Sequence, residues 1–204
     1  MKKCIVFGAG EYRGECTSAP PGAFVIAADG GLEYCRKEGI TPDIIIGDFD
    51  SLGYLPPDEN VICLPCEKDV TDTEAAVNEG IKRGCGDFTL YGCSGGRPDH
   101  SMAAYALLAS LSMRGYAVRS IGCGFTVYAL SDGEILLNGK KGNTVSVFSF
   151  TDKSDGVNLE GLKYPLTDAV LHSSYALGVS NEFEENTARI SVKNGTLLVF
   201  AQND

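Results

Sequence analysis

The sequence predicts an α/β fold: a Rossmann-like, mostly parallel sheet with helices, followed by a smaller antiparallel β-sandwich domain. Three features carry this expectation. Over residues 1–122, short apolar runs such as Ile44-Ile45-Ile46 alternate with helical patterns. Several of these runs stop at turns that pair glycine with aspartate, as in Asp29-Gly30-Gly31 and Gly47-Asp48-Phe49-Asp50-Ser51. From Gly124 onward helical periodicity ends, and Asp132-Gly133, Asn138-Gly139, Lys141-Gly142, Asp155-Gly156 and Asn194-Gly195 punctuate a series of short strands. The expected boundary therefore divides the chain into 1–122 and 123–204.

In chain order, Lys3 to Phe7 reads as a first strand closed by Gly8-Ala9-Gly10. Arg13 stands where a dinucleotide fingerprint needs its third glycine, and Gly14 comes one position late, so that motif is incomplete. The glycines still leave room for backbone amides to approach a phosphate. Ala23 to Ala28 is a second strand, Leu32 to Glu38 a short helix stopped by Gly39, and Ile44 to Ile46 a third strand. After a fourth at Val61 to Leu64, Thr71 and Glu74 have the spacing of a capping box and open a second helix. Asp87 to Tyr91 leads into Gly92-Cys93-Ser94-Gly95-Gly96-Arg97-Pro98-Asp99-His100, where Pro98 suits the first turn of a helix running to Gly115. Val118 to Ile121 completes the first half. The later strands are expected at Thr126 to Leu130, Ile135 to Leu137, Thr144 to Phe150, Val157 to Leu159, Ala169 to Leu171, Ala188 to Val192 and Leu197 to Phe200.

A net charge of -10 disfavours a nucleic-acid or anionic-membrane surface but not a small phosphate ligand beside a local cation. No stretch has membrane-spanning length or a signal-peptide core, which implies a cytoplasmic protein whose eight cysteines are mostly reduced core thiols. Cys63-Leu64-Pro65-Cys66 has the CxxC spacing without a second pair or a histidine cluster, a weak signal for zinc or redox chemistry.

The chemistry-bearing residues gather at strand ends. Asp48 and Asp50, two apart at the end of an apolar run, point the same way and suit one cation. Asp29 and Asp72 add carboxylates, Lys68 and Arg97 supply cations for phosphate, and Thr71, Ser94, Gly95 and Gly96 are small groups at loops. Asp99 and His100 follow in the first turn of a helix, each open to a role as base, ligand contact or surface residue. Carboxylates with Mg²⁺ beside basic groups favour chemistry on a nucleotide polyphosphate. A metal-dependent phosphohydrolase with two cations is the second reading, and a nucleotide sensor without catalysis the third. In the last third, Ser180 and Asn181 offer short hydrogen-bonding groups at a strand-turn junction, or an ordinary Asx or Ser turn.

The ordered set Ala28-Asp29-Gly30-Gly31, Gly47-Asp48-Phe49-Asp50-Ser51, Lys68-Asp69-Val70-Thr71-Asp72, Gly95-Gly96-Arg97-Pro98-Asp99-His100 and Val179-Ser180-Asn181-Glu182-Phe183 resembles the thiamin pyrophosphokinase family. The resemblance covers nearly the whole chain. It implies a catalytic nucleotide-binding domain over 1–122, a thiamin-binding and dimerisation domain over 123–204, a homodimer, and transfer of pyrophosphate from ATP to thiamin with release of AMP. It further implies that Asp48, Asp50 and Asp72 hold Mg²⁺, with Asp29, Lys68, Thr71, Ser94, Gly95, Gly96 and Arg97 around ATP. Asp72, Asp99 and Arg97 become the catalytic candidates, with Asp99, His100, Ser180 and Asn181 at thiamin, the last two from across the dimer interface. Either Asp72 or Asp99 can accept the proton of the alcohol. One departure stands out. Animal members carry a tryptophan near the last strands, whereas this chain has none and places Leu198, Val199 and Phe200 there. Another acceptor alcohol, such as a pterin, is the nearest alternative within the same chemistry.

Overall fold

The computed structural model describes residues 1–12 and 19–203. Arg13 and Gly14, which break the dinucleotide fingerprint, lie outside the described residues. The chain divides into two compact units, Met1–Ala104 with Ser120–Cys123, and Tyr105–Arg119 with Gly124–Asp204.

In the first unit the strands are β1 (Lys2–Phe7), β2 (Phe24–Ala28), β3 (Ile44–Gly47), β4 (Val61–Cys63) and β5 (Cys85–Tyr91). They lie in the order β5, β1, β2, β3, β4, and every neighbouring pair is parallel. Strands covered on both faces need apolar residues at consecutive positions rather than alternating ones. Ile44, Ile45 and Ile46 meet that condition, all at most 4% exposed, as do Val25 to Ala28. Burying each isoleucine side chain contributes roughly 1.5–3 kcal/mol. Helix α1 (Gly31–Lys37) buries Leu32 and Cys35 and is followed by Gly39 at φ +68. Helix α2 (Asp72–Lys82) is capped by Thr71, whose Oγ1 accepts the Glu74 amide at 3.1 Å. That is the expected capping geometry. Its buried face is Ala76, Val77 and Gly80.

Helix α3 spans Pro98–Met113, and strand β6 spans Ala117–Gly122. The second unit contains two antiparallel sheets. One has the order β12, β9, β14, β7 and the other β11, β10, β13, β8. Their strands are β7 (Phe125–Ser131), β8 (Glu134–Asn138), β9 (Thr144–Ser149), β10 (Lys153–Glu160), β11 (Leu166–His172), β12 (Gly178–Glu182), β13 (Thr187–Ser191) and β14 (Thr196–Gln202). A single apolar core draws Val145, Val147, Leu197 and Val199 from one sheet and Val157, Leu159 and Ile190 from the other, which makes the pair a sandwich. Strand β12 occupies what the sequence marks only as a strand-turn junction. Its polar Val-Ser-Asn-Glu run lacks alternation, and a bulge between Gly178 and Asn181 interrupts its pairing with β9.

The region of the missing tryptophan is filled from within the second unit. Val199 points into the sandwich core, while Phe200 packs edge-on against Tyr105 and Phe148, with centroids 5.2 and 5.6 Å away.

Candidate active site

Strands β2 and β3 run in register, Ala28 opposite Ile46, so both chains leave the sheet at the same level. Asp29 takes a left-handed backbone conformation at φ 47, and its amide still bonds to Ile46 O at 2.9 Å. Phe49 repeats the left-handed turn at φ 60 on the neighbouring strand end. The two turns bring carboxylate oxygens of Asp29, Asp48 and Asp50 within 4.8 Å of one another. Three like charges at that spacing repel unless a cation joins them.

Asp29 is 8% exposed. Its Oδ2 accepts the Ser51 hydroxyl at 2.5 Å, while its Oδ1 is buried without a hydrogen-bond partner. A dry, unpaired carboxylate oxygen costs free energy, and a cation ligand removes that cost. The all-oxygen donor set suits a hard divalent ion such as Mg²⁺, so these residues fit one.

Lys68 lies on the other side of Asp48. Its Nζ is 2.5 Å from Asp48 Oδ2 and 3.1 Å from Asp72 Oδ1. The Lys68 hydrogen bond holds the Asp48 pKa below its ordinary value, whereas burial raises that of Asp72. Burial works against the Lys68 ammonium, yet its bonds to the two aspartates raise its pKa overall. Asp72 therefore stands beside Lys68, and the carboxylates that cluster with Asp48 and Asp50 are those of Asp29. The family resemblance places Asp72 with that pair and Asp29 around ATP, and Asp72 Oδ1 is buried as Asp29 Oδ1 is.

In the loop after β1 the amides are taken up by backbone oxygens. Gly8 N donates to Tyr91 O at 2.8 Å, Gly10 N to Gly92 O at 2.6 Å and Glu11 N to Ser94 O at 3.3 Å. A Cβ on Gly10 would sit 2.5 Å from Gly92 O. These glycines let two backbones touch, and their amides are already engaged rather than open to a phosphate. Gly95 N likewise donates to Ser101 Oγ at 3.1 Å. Ser94 is buried, and Gly96 is exposed at φ 64. Cys93, next in the same loop, is buried, which pushes its thiol pKa up to about 12 and leaves it a poor nucleophile.

At the start of α3, Arg97 and Asp99 form a two-pronged pair, Nε to Oδ1 at 3.2 Å and Nη2 to Oδ2 at 2.5 Å. Both are exposed, as is the adjoining His100. Their mutual bond lowers the pKa of Asp99 and raises that of Arg97.

In the second unit Ser180 is exposed at φ 57, and its amide donates to Ser146 Oγ at 3.0 Å. Asn181 is 3% exposed and occupied within its own unit. Its Oδ1 accepts the Tyr164 amide at 3.0 Å and the Glu182 amide at 2.9 Å, and its Nδ2 donates to Tyr164 O at 2.8 Å. Of the two residues expected at thiamin, Ser180 presents a free-standing side chain and Asn181 holds the backbone in place. Ser51, the last residue of the Gly-Asp-Phe-Asp-Ser motif, fixes Asp29 and is a site residue that the sequence pattern alone does not single out. The hydroxyl one residue beyond Asp50 was the available signal.

Comparison with known proteins decides the family. Residues 21–119 match the thiamin pyrophosphokinase catalytic domain, and residues 134–197 the thiamin pyrophosphokinase vitamin B1 binding domain. The chain belongs to the thiamin pyrophosphokinase family. Its enzyme class is accordingly thiamin diphosphokinase, with thiamin and ATP as substrates. A curated relative, thiamine pyrophosphokinase of Bacillus subtilis strain 168, is 25% identical over 186 residues, covering 88% of this chain and 87% of the relative. Among solved structures, thiamine pyrophosphokinase of Bacillus subtilis superposes with a TM-score of 0.88 at 22% identity over the whole of both chains. Thiamin pyrophosphokinase of Geobacillus thermodenitrificans gives 0.83 at 24% identity, covering all of this chain and 98% of that one. That of Candida albicans gives 0.76 at 17%, covering 98% and 90%. At these identities the structures establish the fold of a thiamin pyrophosphokinase. Among the described residues no helix is long and apolar enough to cross a membrane.

Proposed function

We propose that Asp29, Asp48 and Asp50 hold the Mg²⁺ of ATP and that Arg97, Asp99 and Asp72 carry out the transfer of pyrophosphate to the hydroxyl of thiamin, leaving AMP. The observation that carries this reading is the buried, unpartnered Asp29 Oδ1 beside two further carboxylates. Bound there, Mg²⁺ supplies charge neutralisation and alignment of the phosphates. The guanidinium of Arg97 is a fork that matches phosphate as well as it matches Asp99, so a phosphate oxygen competes with Asp99 for it. Asp99, once released, faces solvent and can orient the acceptor alcohol. Asp72 is the better proton acceptor of the two, because burial raises its pKa while Arg97 holds that of Asp99 down.

The vitamin-binding part of the chain contributes Ser180 to thiamin. The same reading includes a homodimer and a cytoplasmic location. Tyr175, Leu177 and Val179 recur at every second residue, are 67%, 48% and 48% exposed, and lead into β12 at the edge of its sheet. A second copy covering them removes apolar surface from water. The buried free thiols Cys4, Cys35, Cys85 and Cys93 suit a reducing compartment.

Phosphorus NMR of the protein with ATP, Mg²⁺ and thiamin tests the reaction. AMP and thiamin diphosphate are expected together, only with metal and acceptor present. ATP hydrolysis without thiamin would overturn the assignment of the site in favour of a phosphohydrolase. Light scattering across a dilution series tests the dimer.

A further inference from the structure

Asp48 is shared between two cation environments. On one side its carboxylate lies with those of Asp29 and Asp50; on the other it bonds to Lys68, which also reaches Asp72. A carboxylate shared between two cations, with a further acidic residue on each flank, is the ligand arrangement of a two-metal site, in which the ions stand roughly 3.5–4 Å apart. Here the Lys68 ammonium hydrogen-bonds to Asp48 and forms an ion pair with Asp72 Oδ1 at 3.1 Å. Its side chain is 12% exposed, against 10% for Asp48 and 25% for Asp72. The ammonium is therefore part of the built site and not a surface ion pair of the kind that contributes little.

We propose that Lys68 is a resident cation occupying the second cation place, so that the chain by itself binds one divalent ion and not two. The proposal rests on the metal reading of Asp29, Asp48 and Asp50 given above and adds the count. Four aspartates carry four negative charges, and Lys68 with one divalent ion returns three, which leaves one negative charge at the site. A second divalent ion would have to displace the ammonium from both carboxylates and leave a mostly buried cation without partners, a costly exchange. The arrangement also bears on the choice between transfer and hydrolysis. A lysine ammonium neutralises charge as a metal does but cannot bind a water and lower its pKa, so the place that would generate hydroxide in a two-metal hydrolase is filled by a group unable to do so.

Manganese titration of the nucleotide-free full chain, with free Mn²⁺ followed by electron paramagnetic resonance, reads the count directly. The parent is expected to bind one ion per chain and Lys68→Ala two, with folding of the variant checked by circular dichroism. Lys68→Arg, which keeps a cation at the position, is expected to stay at one. Two ions in the parent, two in Lys68→Arg, or one in a folded Lys68→Ala would overturn the Lys68 proposal while leaving the metal reading standing. No ion in the parent, or one that survives Asp50→Asn unchanged, would overturn the metal reading and the proposal with it.

Discussion

Gly31→Ala tests how tightly the acidic strand ends are built. A Cβ at residue 31 would lie 2.0 Å from Phe7 O, 2.5 Å from Phe7 C and 3.0 Å from Gly8 O, all backbone atoms of a buried strand end. Real Cβ contacts rarely fall below 3.0 Å, so α1 and β1 must separate by about 1 Å. Overpacking of that kind costs typically 1–3 kcal/mol. For a chain of this length each kcal/mol lowers Tm by roughly 2–4 °C, which sets the expected fall at about 2–12 °C. Gly31 is two residues from Asp29, so the same displacement moves a proposed metal ligand. Misplacement by about 1 Å can reduce turnover on the order of 10²-fold. Gly133→Ala is the matched control, because its Cβ meets nothing nearer than Ser131 O at 3.4 Å. That change should leave Tm level or slightly raised, by restricting the unfolded chain. Differential scanning calorimetry with a coupled AMP assay measures both effects. A Gly31→Ala protein with the parent's Tm and turnover would show that the strand end yields easily and that the close-packing argument is mistaken.

Other outcomes follow from the same geometry. Asp50→Asn should abolish turnover and weaken Mg²⁺ binding with the fold intact, since Asp50 is exposed and its side chain supports only the cluster; retained activity would remove it from the metal site. Asn181→Ala should lower stability by about 2 kcal/mol in urea unfolding, because it strands the backbone groups of Tyr164. Ser180→Ala should instead raise the KM for thiamin with that for ATP unchanged, and equal effects on both would move Ser180 to another role. The Asp48 pKa is lowered by Lys68, so its contribution to stability is complete above its ordinary value of 3.8 and is lost as pH falls through the lower folded value. The stability difference between the parent and Asp48→Asn should therefore shrink as pH falls below 3.8, and a difference independent of pH would contradict the Lys68 bond.

The acidic strand ends were legible in the sequence because an apolar run that stops at Gly-Asp marks both a buried parallel strand and its exit. The pairing of Asp29 with Asp48 was not, since it depends on β2 and β3 ending at the same level and on two left-handed turns. Glycine was the least informative residue type. The sequence around Gly8 and Gly10 is compatible with a phosphate cradle or with two crowded backbones, and only the Gly92 contact separates them. Asn181 was ambiguous for a related reason, because a short amide can face a ligand or replace a backbone partner, and the choice is made by Tyr164, distant in sequence. Antiparallel strands were readable where a two-residue turn preceded an apolar run, as before β8 and β14, but Asp155-Gly156 lies inside β10 at an irregularity of its pairing and not in a turn, and β12 fell outside the rule.

The engaged amides of Gly8, Gly10 and Glu11 have a kinetic consequence. A loop whose N–H groups bond to Tyr91, Gly92 and Ser94 exchanges its protons only when those bonds open, so protection against deuterium should continue past the end of β1 into the loop. The Arg97 and Asp99 side chains lie exposed at the start of α3, and their exchange of partners can proceed on the timescale of side-chain rotation without any rearrangement of the sheet.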